Sequence, residues 1–158
     1  MLDVEASGFG PRGYPIEVGV ALEPGNRHNR LIRPEPGWTF WDPAAESVHG
    51  ITLATLERHG RAPADVAREL NALLAGRTVY TDAWVVDRPW LTLLFHAARV
   101  PQAFGLSPLE ALLSDARLAR WDDAKAEVRA ELAVARHRAS HDAWIVQETL
   151  VRVLGGPP

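Results

Sequence analysis

The chain has 158 residues, a formal net charge of −3 and no cysteine. Its 47% hydrophobic and 23% charged residues are typical of one folded globular domain, which excludes disorder along the whole chain. The lack of cysteine excludes disulfides, cysteine-ligated zinc and a thiol nucleophile, and the slightly acidic balance argues against a broad nucleic-acid-coating surface, although a cleft that grips a few phosphates is compatible with it.

The sequence contains no apolar run of about 18 residues, the length at which a membrane-spanning segment is expected. Its first residues have neither the basic region nor the apolar core of a secretory signal. We therefore expect a cytoplasmic protein with no membrane association. We also expect residues 1–154 to form a single domain and residues 155–158 to be a frayed tail.

The first third of the chain is predicted to form strands. Residues 3–6 make a short strand, and over residues 14–23 apolar positions alternate with polar or small ones, with the period of two that a strand requires. A turn at Pro24-Gly25-Asn26 leads to a strand over 27–33, which predicts an antiparallel hairpin. Residues 34–43 hold three prolines and two tryptophans and are predicted to be a loop with aromatic anchors.

The rest of the chain is predicted to alternate between helices and strands. The predicted helices cover 52–59, 64–75, 88–99, 108–113, 116–136 and 141–154, and the predicted strands cover 77–81 and 104–106. A hairpin followed by this alternation predicts an α/β fold with a mixed sheet flanked by helices.

Two acids stand close together in the first predicted strand. Asp3 and Glu5 are two positions apart, so their side chains lie on the same face. Neighbouring carboxylates repel each other unless a positive charge lies between them, and a divalent cation commonly supplies it. The alternative is an exposed strand end with two solvated acids. The small residues Ala6-Ser7-Gly8 follow directly and would allow backbone amides to approach a ligand closely.

A second acidic position follows the strand predicted at 77–81. Asp87 lies in the first turn of the next predicted helix, where a carboxylate interacts favourably with the helix dipole. Asp82 lies nearer to the strand end and competes with Asp87 for a functional role. The alternative for both residues is a purely structural helix cap.

A third cluster precedes the last predicted helix. Ser140 is predicted to be the N-cap of that helix, which places Asp142 beside its apolar stripe, where an inward-facing acid needs a partner. His137 lies on the preceding loop and can approach the same site. The four-residue spacing of His137 and His141 would suit zinc, but the metalloprotease motif requires Glu after the first His and this chain has Arg138 there.

Together these segments resemble the DEDDh 3′–5′ exonucleases, which include proofreading subunits of DNA polymerases, ribonuclease T and oligoribonuclease. The resemblance covers nearly the whole chain. It depends on Asp3-Val4-Glu5-Ala6-Ser7-Gly8, on Ser47-Val48-His49-Gly50-Ile51-Thr52, on Asp87, and on His137-x-Ala139-x-x-Asp142-Ala143. The chain departs from the family in its second motif, where a common His-Asn-Ala-x-Phe-Asp is replaced by Thr81-Asp82-Ala83-Trp84-Val85-Val86-Asp87.

The resemblance implies a ribonuclease-H-like α/β fold, with a five-stranded mixed sheet flanked by helices on both faces. It also implies a metal-dependent 3′–5′ exonuclease that releases nucleoside monophosphates from single-stranded DNA or RNA ends. Two Mg²⁺ or Mn²⁺ ions would suit a phosphodiester hydrolase. Asp3 would bridge them, His137 would take the proton of the attacking water, and the remaining ligands would be Glu5, Asp87 and Asp142.

The resemblance further places the terminal nucleotide against the backbone of Ala6, Ser7 and Gly8 and near His49. Aromatic residues that are candidates for base stacking, with core or loop packing as the alternative, are Phe9, Trp38, Trp41 and Trp84. Arginines that are candidates for phosphate contacts, with a solvated surface position as the alternative, are Arg12, Arg88 and Arg138. Some relatives pair as dimers, so a homodimer is possible.

Two other functions compete with this interpretation. The first is a nucleic-acid-binding module that has kept the fold without catalysis, against which the presence of all five active-site positions argues. The second is a phosphodiesterase of small nucleotides or very short oligonucleotides, which activity measured against substrate length would distinguish.

Overall fold

The structure is a computed structural model in which residues 1–23, 25–134 and 137–155 are described. Its strands are β1 (Leu2–Ala6), β2 (Pro15–Glu23), β3 (Asn26–Leu31), β4 (Thr78–Thr81) and β5 (Gly105–Pro108). Its α-helices are α1 (Pro43–His49), α2 (Leu53–His59), α3 (Pro63–Leu74), α4 (Trp84–Ala98), α5 (Asp115–Leu118), α6 (Trp121–Leu132) and α7 (Ala139–Leu154), with a 3₁₀ turn at Leu109–Leu112.

The first three strands form an antiparallel sheet in the order β1-β2-β3, which confirms the predicted hairpin. In the register of β1 and β2, Asp3 lies opposite Gly19 and Glu5 lies opposite Glu17. The central strand β2 is buried on both faces over most of its length. The acids of β1 therefore share a sheet face with the alternate positions of β2.

The expectation of a five-stranded mixed sheet, which the family resemblance implied, is wrong. Strands β4 and β5 form a separate parallel pair, so the hydrogen-bonded sheets have three and two strands. A physical reason lies at β1, which is close to β4. The backbone N–H of Val4 donates to the carboxylate of Asp87, so this group of β1 is used by a side chain of α4 and not by a neighbouring strand.

The helices agree with the prediction in the middle of the chain and differ elsewhere. Helix α1 was not predicted; it follows directly on the proline-rich loop, and the Asp42 Oδ1 atom accepts from the Ala44 N–H at 2.9 Å to cap it. The single helix predicted over 116–136 is interrupted between α5 and α6, and α6 ends before Ala133, which has a left-handed φ of 47°. Ser140 is not the N-cap predicted for it, because α7 already begins at Ala139.

The two faces of the three-stranded sheet have different neighbours. One face contributes Val4, Val18 and Val20 to the main apolar core, where they pack with side chains of α3 and α4. The other face is covered by the start of α7, which contacts β2 at Gly19. The acids of β1 therefore lie where the N-terminal end of α7 meets the sheet.

The tail predicted to fray lies outside the described residues except for Gly155, which caps the end of α7. Within the described ranges, no helix combines the length and apolar character needed to cross a bilayer.

Candidate active site

One cavity of about 480 Å³ brings together the residues singled out in three distant parts of the sequence. Its wall contains Asp3 and Glu5 of β1, Asp87 of α4, Asp142 of α7 and the preceding His137. Strand β1, the start of α4 and the start of α7 each supply some of these five residues. The structure thus places all five residues on one concave surface.

Asp3 and Glu5 face this cavity from the edge of the sheet. Burial raises the pKa of Asp3 well above its usual range, and the nearby carboxylates, Asp87 first, add to the effect. Burial, followed by the charges of Asp142 and Glu17, raises the pKa of Glu5 to about 7. Each carboxylate is therefore costly to ionise unless a cation approaches it.

Asp87 is held at the start of α4. Its side chain is only 1% exposed, and the Thr81 hydroxyl and the Val4 N–H donate to its carboxylate. Burial nevertheless raises the pKa of Asp87 to about 7, against the opposing effect of these hydrogen bonds. Thr81 Oγ1 also accepts from the Ala83 N–H at 3.0 Å, so it fixes the connection between β4 and α4 and thereby the position of Asp87.

Asp82, the competitor of Asp87, also lines the cavity but differs in its surroundings. Its carboxylate forms an ion pair with Lys125 of α6, and both side chains are 17% exposed. The chain thus supplies Asp82 with a cation of its own. Within the described ranges, none of the ion pairs formed by lysine or arginine involves Asp3, Glu5, Asp87 or Asp142.

His137 and Asp142 meet at the start of α7. Asp142 Oδ2 accepts from the backbone N–H of His137 at 2.6 Å, and His137 has a left-handed φ of 59°, which is uncommon for a non-glycine residue. Glu5, His137 and Asp142 each offer a ligand atom, and these three atoms lie within 4.8 Å of one another.

The donor set suits a divalent cation. Carboxylate oxygens are the ligands that Mg²⁺ and Mn²⁺ prefer, and imidazole nitrogen is a common additional ligand of transition metals. Burial is the main cause of the raised pKa values of Asp3, Glu5 and Asp87, and the charges of nearby carboxylates add to it, so a bound cation would favour the ionised forms. The residues therefore fit the predicted metal.

Of the predicted substrate-binding residues, Ala6, Gly8 and His49 line the cavity, whereas Ser7 is fully buried and does not line it. The Ser7 hydroxyl accepts from the Tyr14 N–H at 3.1 Å, and its own backbone N–H and C=O are both hydrogen-bonded. Gly8 has a φ of 151°, and a Cβ there would lie 2.6 Å from the Cβ of Asp42. Glycine is thus needed for the 40–42 segment to approach.

His49 is buried at the end of α1 and presents a nitrogen atom without a partner. Its Nδ1 accepts from the Ile51 N–H at 3.0 Å, and burial lowers the pKa of the imidazole. The neutral ring then carries its proton on Nε2, and this atom has no hydrogen-bond partner among the described residues. His49 therefore carries a buried donor, unpaired among the described residues, in the wall of the cavity.

Among the aromatic candidates, two are partly buried and pack against the core, and one is exposed. Trp38 and Trp41 pack on the buried Tyr14, at ring-centroid distances of 5.3 and 6.4 Å, which is the packing alternative. Phe9 is 76% exposed and lines the cavity beside Trp90, 5.9 Å away between ring centroids. Trp90 was missed because it looks like a core position of a helix.

Trp84 and the three arginine candidates have partners of their own. The guanidinium of Arg88 lies 4.9 Å from the centre of the Trp84 ring, and that of Arg12 lies 4.5 Å from the centre of the Phe40 ring. None of these side chains lines the cavity. Arg138 is engaged by Glu17.

The cations that do line the cavity are Lys125 and Arg129 of α6, and they were missed. They are four residues apart, so they lie on one face of the helix. This spacing was visible in the sequence, but nothing there indicated that α6 packs beside the site.

Glu17 was also missed as a residue with a special role. It is fully buried in the central strand, where it binds Arg138 and the start of α7. The alternation of β2 placed it among the polar or small positions. Apolar neighbours on both sides are also typical of a solvated acid in a half-buried strand, so no local signal in the sequence distinguished Glu17.

Comparison with solved structures shows what this fold is similar to. Escherichia coli exonuclease I in complex with a 5cy-dT13 oligonucleotide aligns at a TM-score of 0.72 and 16% identity, over 98% of this chain and 40% of that one. The zinc-bound form of the E. coli exonuclease I–single-stranded DNA complex aligns at 0.69 and 14%, with the same coverage. A moderately thermophilic exonuclease I from Methylocaldum szegediense aligns at 0.68 and 16%, over 96% and 39%.

These likenesses show a shared fold, and the chain spans about 40% of the length of the exonucleases that it matches. No protein-family model matches the chain, and no curated protein matches it in sequence.

Proposed function

We propose that this protein is a metal-dependent 3′–5′ exonuclease that hydrolyses the terminal phosphodiester bond of single-stranded nucleic acid and releases nucleoside monophosphates. The observation that carries the proposal is the convergence of Asp3, Glu5, Asp87 and Asp142 with His137 on one cavity. Three of these acids have raised pKa values. Such a set of acids is unfavourable by itself and becomes favourable once cations bind.

The acids have the role of holding metal ions. Asp3, Glu5, Asp87 and Asp142 would hold two Mg²⁺ or Mn²⁺ ions. When bound, such ions would supply positive charge that stabilises the oxygens of a phosphodiester under attack. The Thr81 and Val4 hydrogen bonds to Asp87 keep one ligand oriented before the metal arrives.

His137 is suited to move a proton. An imidazole nitrogen can accept a proton from water, and the ring lies on the cavity wall, where a water molecule next to the acids would be within reach. We assign it the role of general base, which takes the proton of the attacking water. The hydrogen bond that the His137 N–H donates to the Asp142 carboxylate fixes the backbone from which this side chain extends.

The terminal nucleotide would bind along the wall formed by Ala6, Gly8 and His49. The free Nε2–H of His49 provides a donor for a sugar or phosphate oxygen. Phe9, with its exposed ring beside Trp90, provides an apolar surface on which a base can stack. The likeness to exonuclease I bound to a dT13 oligonucleotide supports single-stranded DNA as the first substrate to test.

The test is single-turnover cleavage of 5′-labelled DNA and RNA oligonucleotides with Mg²⁺, with Mn²⁺ or with EDTA. We expect a ladder that shortens from the 3′ end, that requires metal and that is blocked by a 3′-terminal phosphorothioate. Asp3→Asn is the inactive control. Binding of the oligonucleotide without any cleavage would favour the non-catalytic binding module and would overturn the proposal.

The same assay with oligonucleotides of two to twenty nucleotides distinguishes the second alternative. Cleavage that is fast for dinucleotides and lost for longer strands would indicate a phosphodiesterase of very short oligonucleotides. The cavity volume of about 480 Å³ does not favour one length over another, so the measurement decides.

A further inference from the structure

An ion pair that the proposed chemistry does not use lies beside the cavity. Glu17 of β2 is 0% exposed, and the guanidinium of Arg138 binds its carboxylate with two nitrogens, Nη2 to Oε1 at 2.6 Å and Nε to Oε2 at 3.1 Å. Neither residue lines the cavity. Arg138, however, is the chain neighbour of His137.

The same carboxylate binds the backbone of the next residue. Glu17 Oε2 accepts from the Ala139 N–H, at the first residue of α7, at 2.9 Å. The Nδ2 of Asn29 on β3 donates to Glu17 Oε1 at 3.0 Å. Glu17 therefore ties one side chain and one backbone amide at the start of α7 to the middle of the sheet, and these charge-assisted bonds are directional.

The helix start is also in close contact with the strand. A Cβ at Gly19 would lie 2.0 Å from the carbonyl carbon of Ala139 and 2.1 Å from the nitrogen of Ser140. Gly19 and Glu17 are two residues apart in β2, so they face the same side. Gly19 thus allows the start of α7 to approach β2, and the carboxylate of Glu17 holds that start in place.

Three consecutive residues are fixed in this way. The His137 N–H donates to Asp142, the Arg138 side chain donates to Glu17, and the Ala139 N–H donates to Glu17. No side chain caps α7 from Arg138, its N-cap position. A left-handed φ at His137 costs free energy and persists where its surroundings hold it.

We propose that Glu17 and Arg138 are positioning residues that form a latch, and that this latch holds the 137–139 backbone so that His137 and Asp142 face the acids of β1. Neither residue of the latch lines the cavity, so we assign it a role through the positions of His137 and Asp142, although the charges of Glu17 and Arg138 also reach Glu5. The inference rests on the proposed function, because it assigns the ion pair a role in the same reaction. A pair that serves stability alone is the competing explanation.

The kinetic test compares Arg138→Gln, Arg138→Lys and Glu17→Gln with Glu69→Gln, which breaks the partly exposed ion pairs of Glu69 with Arg30 and Arg61. We expect Arg138→Gln and Glu17→Gln to lower kcat about 30-fold with KM changed less than about twofold, since alignment is lost and not binding. Arg138→Lys keeps the positive charge but cannot make the bidentate contact, so its kcat should lie between those of Arg138→Gln and the wild type. Glu69→Gln should leave kcat unchanged.

A double-mutant cycle with His137→Ala separates positioning from general stability. If the latch acts largely through His137, Arg138→Gln should lower kcat less than about threefold in the His137→Ala background. A loss that is equally large in both backgrounds would overturn the proposal. So would a kcat for Arg138→Gln equal to that of Glu69→Gln.

A second readout does not depend on activity. In protein with ¹³C-labelled histidine, the His137 ring signal is assigned by its absence in His137→Ala. We expect Arg138→Gln to shift or broaden this signal and Glu69→Gln to leave it unchanged. If the wild-type protein cleaves no oligonucleotide, the proposed function fails while this signal still tests the latch; an unchanged His137 signal in Arg138→Gln would overturn the latch alone.

Discussion

Glu5 and Glu17 lie directly opposite each other on neighbouring strands and on the same face of the sheet, yet their surroundings differ. Glu17 is fully buried and has a guanidinium and a backbone N–H as donors. Glu5 faces the cavity, where burial, followed by the charges of Asp142 and Glu17, raises its pKa to about 7. The fold neutralises one acid with its own arginine and leaves the other beside a cavity, and this difference separates a structural acid from a candidate metal ligand.

The same contrast recurs between Asp82 and Asp87. Asp82 is paired with Lys125, whereas Asp87 is buried with hydrogen bonds from Thr81 and Val4 and with a pKa of about 7. Both acids line the cavity. Acids that the chain already pairs have less need of an external cation, so we expect the unpaired acids to carry the chemistry.

The most direct test of this comparison removes one unpaired acid, Asp87, and one paired acid, Asp82. We expect Asp87→Asn to lower kcat at least about a thousandfold, because a metal ligand supplies several kcal/mol of transition-state stabilisation. Asp82→Asn should change kcat less than about threefold and lower KM, because Lys125 is then free to attract an anionic strand. Single-turnover rates under saturating Mn²⁺ measure both. Equal losses in the two variants would show that pairing does not distinguish the acids.

The next effect in size concerns His137. His137→Ala should lower kcat about a hundredfold, the usual contribution of a general base. Titration of the variant with Mn²⁺ by calorimetry should give an affinity within about threefold of the wild type if the ring moves a proton and does not bind metal. Because its ligand atom lies within 4.8 Å of those of Glu5 and Asp142, the opposite result is informative: a Mn²⁺ affinity that falls more than tenfold would make His137 a ligand.

Much of this site could be predicted from sequence, for a physical reason. Asp3 and Glu5 share a face because strands alternate, and Asp142 faces inward because a helix repeats every 3.6 residues. Local periodicity fixes such directions before any tertiary contact forms. The order of the motifs along the chain was enough to suggest that these acids meet, and the structure brings them to one cavity.

What could not be predicted depends on contacts between distant segments. Nothing local distinguishes Glu17 from a solvated strand acid, and only the arrival of α7 at Gly19 makes it a partner of Arg138. The separation of β4–β5 from the other strands likewise depends on tertiary contacts, among them that of Val4 with Asp87. Lys125 and Arg129 are ordinary helix-surface residues until α6 packs beside the cavity.

A third test concerns how closely α7 must approach the sheet. Gly19→Ala should lower the free energy of unfolding by about 3 kcal/mol, because its Cβ would overlap the backbone of Ala139 and Ser140. Urea unfolding at pH 7 measures the change. Gly37→Ala is the matched control: a Cβ there meets nothing within 4 Å, so stability should be unchanged or slightly higher. Equal stability of the two variants would contradict the close contact between α7 and β2.

The smallest expected effect tests the unpaired state of Glu5 itself. In EDTA, its folded-state pKa of about 7 exceeds the ordinary value of 4.5, so the folded protein binds more protons than the unfolded chain between these values. Metal-free stability should therefore fall as the pH rises from about 4.5 through about 7 and then level off.

Glu5→Gln lacks this loss of stability, so its Tm in EDTA should exceed that of the wild type by a few degrees at pH 8, the shift that a difference of about 1 kcal/mol in unfolding free energy produces. At pH 5 the two Tm values should differ little. Saturating Mn²⁺ should reverse the order, because only the wild type has the full set of ligands. The exposed Glu57→Gln serves as the control. If Glu5→Gln and Glu57→Gln have the same Tm at pH 8 in EDTA, neither the burial of Glu5 nor the like charges around it destabilise the metal-free fold, and the reason to expect a cation beside it loses its main support.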